Sequence, residues 1–256
     1  MIAFFNYIGL WVLRFLDESG RVMLLFLQTV HFIFRRPFDV RSLLKQIEDV
    51  GIRSLPVVLI TGAFTGMVLA LQSYTGFKRF QAEAFVGTVV ALSITRELGP
   101  VLSGLMVSGR VGSAMAAELG TMQVTEQIDA LYTLAINPIK YLVVPRFLAS
   151  LIVLPILTTF ADIIGIVGGF LISVILLGAN PTIYMRRTYD YLDLEDVYIG
   201  LLKAAIFGMI IATIGCYQGL NTRGGAEGVG KSTTNAVVIG SLLVLVANYF
   251  VTALLF

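Results

Sequence analysis

Long apolar stretches alternate with short polar ones along most of the chain. Five of them reach the roughly 20 residues that an α-helix needs to cross a bilayer. They occupy residues 55–74, 84–109, 147–178, about 198–220 and 236–256. The third is long enough to bend or divide, and Pro155 and the group Gly165, Gly168 and Gly169 are natural bend points. The pattern predicts an all-α integral membrane protein with five crossings, or six if the third stretch splits.

Two shorter apolar runs, at residues 1–16 and 21–34, precede these crossings and are separated by the polar residues 17–20. Each run is too short to span a bilayer comfortably, and charged residues flank both. Such runs are typical of amphipathic helices in the membrane interface, here with Trp11, Arg14 and Arg21 at headgroup level. We therefore expect residues 1–50 to form a pair of interfacial helices and residues 51–256 to form the membrane domain. A transmembrane hairpin within residues 1–50 is the alternative.

The composition agrees with a membrane protein. Of 256 residues, 57% are hydrophobic and only 13% are charged, whereas a soluble domain has about 25% charged residues. The net charge of +2 is too small to indicate a nucleic acid partner. The single cysteine, Cys216, excludes an internal disulfide. Together with the single histidine, His31, it argues against a zinc site or a Ser–His–Asp triad.

Basic residues indicate the orientation, because short loops rich in Lys and Arg remain in the cytoplasm. The segments on the amino-terminal side of the membrane contain Arg35, Arg36, Arg41, Lys45, Arg53, Arg110, Lys140, Arg146, Arg223 and Lys231. The opposite side has Lys78, Arg79, Arg186 and Arg187, and the last two are diluted by nearby acidic residues. The bias predicts a cytoplasmic amino terminus and, with five crossings, an external carboxyl terminus.

Small residues recur at intervals of four in several crossings, for example at Gly62, Gly66 and Ala70 and at Gly208 and Ala212. This spacing lets helix backbones approach closely in lipid. We expect it to serve packing within one copy of the chain, with a seam between two copies as the alternative.

Two adjacent charges, Arg96 and Glu97, lie inside the second apolar stretch. A charge at this depth is costly, so it usually faces a cavity or a partner. Pro100 weakens the helix here and frees backbone carbonyl groups, which also favours a polar, enclosed setting. Asp162, inside the third stretch, is a candidate partner for Arg96. A functional site and a structural anchor between helices both fit this pattern.

Residues 113–135, between the second and third stretches, are too polar to cross the membrane, and their pattern predicts a helix that stops before Asn137 and Pro138. Glu118, Thr121, Thr125 and Asp129 fall on one face, beside an apolar strip. An amphipathic helix with an acidic face is suited to docking into a groove of another protein. A re-entrant helix packed on its own bundle is the alternative.

The sequence GGAEGVGKST, at residues 224–233, matches the phosphate-binding loop pattern G-x-x-x-x-G-K-[ST] from Gly225 to Ser232. That chemistry requires a buried strand before the loop and a helix after it, in a soluble α/β sheet. Here the flanking segments are both predicted membrane helices. The match therefore predicts a tight turn between two crossings, with Lys231 as a cytoplasmic anchor, and no nucleotide site.

Three segments together closely resemble the MlaE family of permeases, which belong to lipid transporters of the ABC class associated with MCE-domain proteins. They are RELGPVLSGLMVSGRVGSAMAAELGTMQVTEQIDAL, NPIKYLVVPRFLA and GGAEGVGKSTTNAVV. The resemblance covers the chain from about residue 50 onward. It implies a permease without catalytic residues, in the inner membrane of Gram-negative bacteria, that moves phospholipids to a periplasmic carrier and so maintains outer-membrane asymmetry. An ion-coupled secondary transporter that uses Glu97 and Asp162 is the alternative.

The resemblance also implies partners. The permease forms a homodimer, and a separate cytoplasmic ATPase (MlaF-like) binds ATP and magnesium, so that the chain itself needs no cofactor. A STAS-domain protein (MlaB-like) accompanies the ATPase, and a hexamer of an MCE-domain protein (MlaD-like) lies in the periplasm. The family's coupling helix aligns with residues 113–135, which makes Glu118, Glu126 and Asp129 candidate ATPase contacts. The positions that line the family's lipid pocket correspond to Leu69, Gln72, Phe77, Phe80, Arg96 and Glu97.

Overall fold

A computed structural model of the chain describes residues 2–35 and 39–255, and these residues form helices joined by short turns, with no β-strand among them. The helices are α1 (Ile2–Ile33), α2 (Val40–Gly51), α3 (Leu55–Lys78), α4 (Val86–Ser93), α5 (Gly99–Val107), α6 (Ser113–Val124), α7 (Gln127–Thr133), α8 (Val144–Leu171), α9 (Pro181–Tyr191), α10 (Leu194–Leu220) and α11 (Gly225–Leu255). Arg36 and the side chain of Trp11, used above for orientation and depth, lie outside the described part of the chain.

Five helical stretches of the described residues are long and apolar enough to cross a membrane, which confirms the predicted all-α membrane fold. They are Val40–Lys78, Glu83–Val124, Ile139–Leu176, Leu194–Leu220 and Gly225–Leu255. The third stretch does not split, because α8 continues through Pro155 and then through a π-helical turn at Ile172–Leu176. The alternative of six crossings required this stretch to split and is therefore wrong, and the prediction of five crossings is confirmed for the described residues.

The prediction of two separate amino-terminal helices is wrong, since α1 is continuous through residues 17–20. Polar residues do not by themselves end a helix, and a single glycine such as Gly20 costs only about 1 kcal/mol relative to alanine. Arg21 and Asp17, one turn apart, form an ion pair of 2.8 Å across this junction. The junction is therefore a polar band on a single helix.

Close helix packing within one copy of the chain follows the predicted small residues. A side chain at Gly66 would collide with the carbonyl oxygen of Gly165 in α8, and one at Gly62 would lie 2.9 Å from the carbonyl oxygen of Ala161. Gly208 of α10 is in similar contact with the backbone at Ser150. These contacts place α3 and α10 against α8 at the centre of the bundle. The preference for packing within one copy is confirmed at these positions.

The segment predicted as one helix over residues 113–135 is interrupted in the structure. Helix α6 ends at Val124, Glu126 adopts a left-handed conformation with φ of 60°, and α7 begins at Gln127. The hydroxyl of Thr125 bonds back to the carbonyl oxygen of Thr121 at 2.8 Å, and Ile128 is buried. The break therefore turns α7 so that its apolar side returns to the bundle. The predicted single face from Glu118 to Asp129 does not persist across it.

Candidate functional site

A cluster of polar side chains joins three helices inside the apolar bundle; we call it the Glu97–Lys203 cluster. It contains Arg96, Glu97, Asp196, Lys203, Asn248 and Thr252. At its centre, the ammonium group of Lys203 donates to Oε1 of Glu97 at 2.7 Å. From α11, Nδ2 of Asn248 donates to Oε2 of Glu97 at 2.8 Å and the hydroxyl of Thr252 donates to Oε1 at 2.9 Å. Lys203 is fully buried, whereas 37% of the Glu97 side chain is exposed.

The second charge of the pair, Arg96, binds a different carboxylate. Its Nε and Nη2 atoms each lie 2.6 Å from Oδ1 of Asp196. Asp196 is buried at the start of α10, where its other oxygen accepts from the backbone N–H of Asp193 at 3.3 Å. Arg96 therefore fixes the beginning of α10 beside the second crossing. With two cations and two carboxylates, the cluster is electrically balanced.

The local backbone explains how two adjacent charges serve different partners. Residues Ile94–Leu98 form a π-helical turn immediately before Pro100, and such widened turns are frequent at functional sites. Because Pro100 has no N–H and its ring crowds the carbonyl four residues earlier, the carbonyl of Arg96 loses its helical partner. That oxygen accepts from Nζ of Lys203 at 2.9 Å. The expectation that Pro100 frees a carbonyl for a polar setting is confirmed.

Glycine brings α10 close enough for these contacts. A side chain at Gly200 would collide with the carbonyl oxygen of Thr95 in the π-helical turn. Gly200 lies one turn before Lys203, so the close approach of the two backbones carries the lysine to Glu97. The geometry of the cluster therefore depends on Gly200 as well as on the charges.

The suggested pairing of Arg96 with Asp162 is wrong, because Arg96 pairs with Asp196. Asp162 is buried in α8, and a side chain at Gly99 would occupy the position of its Oδ1 atom. That oxygen has no hydrogen-bond partner among the described residues. Asp162 therefore packs against the backbone at Gly99 and does not belong to the Glu97–Lys203 cluster.

The other residues expected to line a lipid pocket divide into two groups. Leu69 and Phe77 are partly buried against a small apolar cluster formed by Ala70, Val86, Val90, Ile94 and Tyr184. Burial raises the pKa of Tyr184 to about 12. Gln72 and Phe80 are exposed at the surface of the single chain. Within one copy, therefore, the structure does not gather all six predicted residues around a common cavity.

The three predicted coupling residues also differ in their surroundings. Oε2 of Glu118 lies 2.8 Å from Nη2 of Arg146, whose side chain is almost completely buried. Glu126 occupies the break between α6 and α7, and Asp129 is exposed on α7. Exposed apolar side chains follow directly, with Tyr132 62% and Leu134 69% exposed. Glu126 and Asp129 are free to meet a partner, whereas Glu118 already holds α6 to α8.

The phosphate-loop match is part of a helix. Helix α11 begins at Gly225, so the motif forms its first turns, and the prediction of a turn spanning these residues is wrong. Lys231 lies 2.7 Å from Glu227 one turn earlier, and both side chains are largely exposed. A phosphate-binding loop needs irregular backbone whose N–H groups converge on the ligand. The helical conformation accounts for the lack of such a loop at the motif.

Sequence reasoning did not identify several residues that form these polar contacts. Lys203 lies in the fourth apolar stretch, so the reasoning that identified Arg96 would have found it as a second buried cation. Asp196 and Arg146 border the apolar stretches and resemble ordinary loop charges. Asn248 and Thr252 are four residues apart near the carboxyl end, and nothing in their spacing indicates Glu97 as a partner.

Comparisons with known proteins agree with this architecture. The family described as Permease MlaE matches residues 43–254. A probable ABC transporter permease protein of Rickettsia felis is 51% identical over 251 residues, which cover 98% of this chain and 97% of the relative. A probable ABC transporter permease protein of Synechocystis is 49% identical over 84% of this chain and 82% of its own length. The chloroplast protein TRIGALACTOSYLDIACYLGLYCEROL 1 of Arabidopsis thaliana is 40% identical over 90% of this chain and 65% of its own length.

Proposed function

Because the chain belongs to the MlaE family of ABC transporter permeases, we propose that it provides the path of a phospholipid through an ATP-driven transporter. In this proposal the lipid moves between the inner membrane and a periplasmic carrier, which maintains the lipid asymmetry of the outer membrane. The observation that carries the proposal is the Glu97–Lys203 cluster, a balanced set of polar groups inside an apolar bundle.

A phospholipid needs an apolar wall for its acyl chains and a few polar groups for its headgroup. Leu69 and Phe77 supply apolar surface on α3, in the first crossing. The Glu97–Lys203 cluster supplies the polar groups. Oδ1 of Asn248 is buried and has no hydrogen-bond partner among the described residues. It can accept a hydrogen bond from a headgroup hydroxyl or ammonium group, while the guanidinium of Arg96 can meet a phosphate.

The same proposal assigns ATP to a partner. A cytoplasmic ATPase of the ABC class would bind ATP and magnesium and dock on α6 and α7 through Glu126 and Asp129. Movement of this segment would shift the bundle between two arrangements and alter the lipid path. A second copy of the chain, a STAS-domain protein and a periplasmic MCE-domain hexamer complete the proposed assembly. Gln72 and Phe80, exposed in the single chain, would then face the second copy.

The name of the chloroplast relative includes that of a lipid, trigalactosyldiacylglycerol, and this supports lipid as the cargo. The apolar surface of α11 supports assembly in the membrane. Tyr249 is 70% and Phe250 65% exposed in the single chain, and both lie in a stretch apolar enough to cross a bilayer. This apolar surface is therefore available for contact with lipid or with another membrane helix.

Cross-linking with a photoactivatable phospholipid tests the lipid path. Cells that express the full-length chain with its partners are labelled, and label on the purified chain is compared between variants. Leu69→Arg and Asn248→Leu should each reduce labelling several-fold, whereas Leu69→Met should retain it. Labelling of Leu69→Arg and Asn248→Leu at the level of the unmodified chain would place the lipid path elsewhere.

A further inference from the structure

A cavity of about 140 Å³ lies between α2 and α6, beside the start of α3. It is separate from the Glu97–Lys203 cluster and shares no residue with it. Four charged side chains line this cavity, which we call the Arg110 cavity: Asp49, Arg53, Arg110 and Glu118. Their pairing decides what the cavity can bind.

Both carboxylates already have a cation as partner. Oδ1 of Asp49 lies 3.1 Å from Nη1 of Arg53, and Glu118 pairs with the buried Arg146 at 2.8 Å. Arg110, in contrast, forms hydrogen bonds only with neutral groups among the described residues, although the carboxylate of Asp49 lies close enough to attract it. Its Nη1 donates to the carbonyl oxygen of Asp49 at 3.2 Å and to the hydroxyl of Ser54 at 2.7 Å. Two cations and two carboxylates line the cavity, but Glu118 is already neutralised by Arg146 from outside the lining. Arg53, Arg110 and Arg146 together therefore exceed Asp49 and Glu118 by one positive charge.

The guanidinium of Arg110 is held in place by these neutral partners. Ser54 is buried, and its hydroxyl in turn donates to the carbonyl oxygen of Val50 at 2.6 Å. Arg53 lies close enough to repel Arg110, with the attraction of Asp49 acting against this repulsion. Arg110 is held in position and the more exposed Arg53 lies at the same cavity, so an anion between the two guanidinium groups would relieve their repulsion, and phosphate oxygens match guanidinium geometry well.

The location of the cavity indicates the source of the anion. Arg53 immediately precedes the apolar stretch of α3, and Arg110 immediately follows the apolar stretch at residues 84–109. Both residues therefore lie where the crossings meet the membrane surface. Phospholipid phosphates are concentrated at that level, and basic pockets between membrane helices bind anionic headgroups.

We propose that the Arg110 cavity binds the phosphate of an anionic phospholipid from the membrane surface, held between Arg53 and Arg110. This lipid is a bound component of the protein and not its cargo, so the inference does not depend on the transport proposed above. Because α2 and α6 both line the cavity, the lipid links the interfacial helix to the helix that leads into α7.

Native mass spectrometry of the full-length chain in detergent tests the site. The probe is dioctanoyl phosphatidylglycerol, titrated into the unmodified chain and into Arg110→Gln, Arg53→Gln and Lys45→Gln. Lys45 is an exposed cation on α2 that does not line the cavity, so its variant loses the same charge elsewhere. We expect the first two variants to bind about tenfold more weakly, as the loss of a charged hydrogen bond predicts, and Lys45→Gln to bind normally. Equal affinity in all four proteins, or an equal loss in all three variants, would overturn the proposal.

Two further arms identify the ligand. Inorganic phosphate at the same concentration should not displace the lipid, and displacement would mean that the cavity binds free phosphate. Leu69→Arg, which alters the proposed lipid path, should retain this site, so loss of binding in that variant would assign the lipid to the transport pocket and overturn the inference.

A last arm distinguishes the lipid from a protein partner, and a fold check accompanies it. If Arg110→Gln keeps its lipid but loses the ATPase on purification, the cation serves a carboxylate of that partner and the proposal is wrong. Arg53 is 68% exposed, so Arg53→Gln is the variant that remains informative if Arg110→Gln does not fold.

Discussion

Two groups of charges lie toward opposite ends of α10, and they are balanced differently. Near its first turns, the Glu97–Lys203 cluster pairs each cation with a carboxylate across helices: Lys203 with Glu97 and Arg96 with Asp196. Near its other end, where Gly219 of α10 packs on α6, the Arg110 cavity contains a cation that, among the described residues, forms hydrogen bonds only with neutral groups. In the first arrangement each charge has a partner of opposite sign, and in the second the positive charge of Arg110 is not matched by an ion pair of its own.

The difference follows from burial. Lys203 has no exposed surface, and a buried charge without a partner is strongly destabilising. Arg110 is only partly buried, at the level where the crossings meet water and headgroups, so an unmatched charge there is tolerable. The fully buried Lys203 therefore holds helices together, whereas the partly exposed Arg96 and Glu97, like the charges at the membrane surface, retain the capacity to bind.

The largest loss of stability is expected when the ion pair between Glu97 and Lys203 is broken. Glu97→Leu leaves Lys203 buried without its carboxylate and should lower stability by about 3 kcal/mol. The double variant Glu97→Leu with Lys203→Met removes both charges and should recover most of that loss. The fraction of protein that remains monodisperse after heating in detergent measures the effect.

The control for this experiment is Glu227→Leu, which breaks an exposed Glu–Lys pair within a single helix. It should change stability by about 0.5 kcal/mol or less. If the double variant is no more stable than Glu97→Leu alone, the buried charge of Lys203 does not depend on Glu97 for its stability, and the account of this pair is wrong.

A smaller loss of stability is expected at the other end of the bundle. Two variants there distinguish a residue that stabilises the fold from one that contacts the ATPase. Glu118→Lys places a cation beside the buried Arg146 and should lower stability by about 2 kcal/mol. Asp129→Lys alters an exposed residue of α7 and should change stability by about 0.5 kcal/mol or less, while it weakens co-purification of the ATPase.

Heating curves and co-purification, measured on the same preparations, check this contrast. Retention of the ATPase by Asp129→Lys would remove α7 from the docking surface. A Glu118→Lys protein as stable as the unmodified chain would show that the pair with Arg146 does not hold α6 in place.

The smallest effect concerns the phosphate-loop match. Lys231 lies on a helix and not in a phosphate-binding loop, and its only ion-pair partner among the described residues is Glu227. Lys231→Ala should therefore leave ATP hydrolysis by the assembled transporter unchanged. A loss of hydrolysis with the complex intact would give this lysine a role that the helix does not explain.

Sequence reasoning succeeded where the signal is periodic and long. The five crossings follow from apolar length, and the contact of Gly66 with Gly165 follows from the spacing of small residues. The carbonyl freed by Pro100 was also predictable, because its cause is local. In each case the relevant physics lies within one helix or one repeated interval.

It failed where partners are distant in sequence or where a helix continues against its composition. Arg96 pairs with Asp196 and not with Asp162 because the π-helical turn and Gly200 set the rotation of the second crossing against α10. Helix α1 continues through Gly20, and the break at Glu126 depends on the burial of Ile128. These outcomes are decided by tertiary packing, which a single sequence does not display.

Lipid transfer by reconstituted transporter most directly tests the central claim, that this permease gives lipid a path powered by a partner's ATP. Liposomes that contain the chain with its co-purified ATPase and a fluorescent phospholipid are assayed for transfer to an acceptor carrier protein. We expect transfer that requires hydrolysable ATP, is abolished by Leu69→Arg and is indifferent to a pH gradient. Transfer that proceeds without the ATPase and follows the pH gradient would contradict the account.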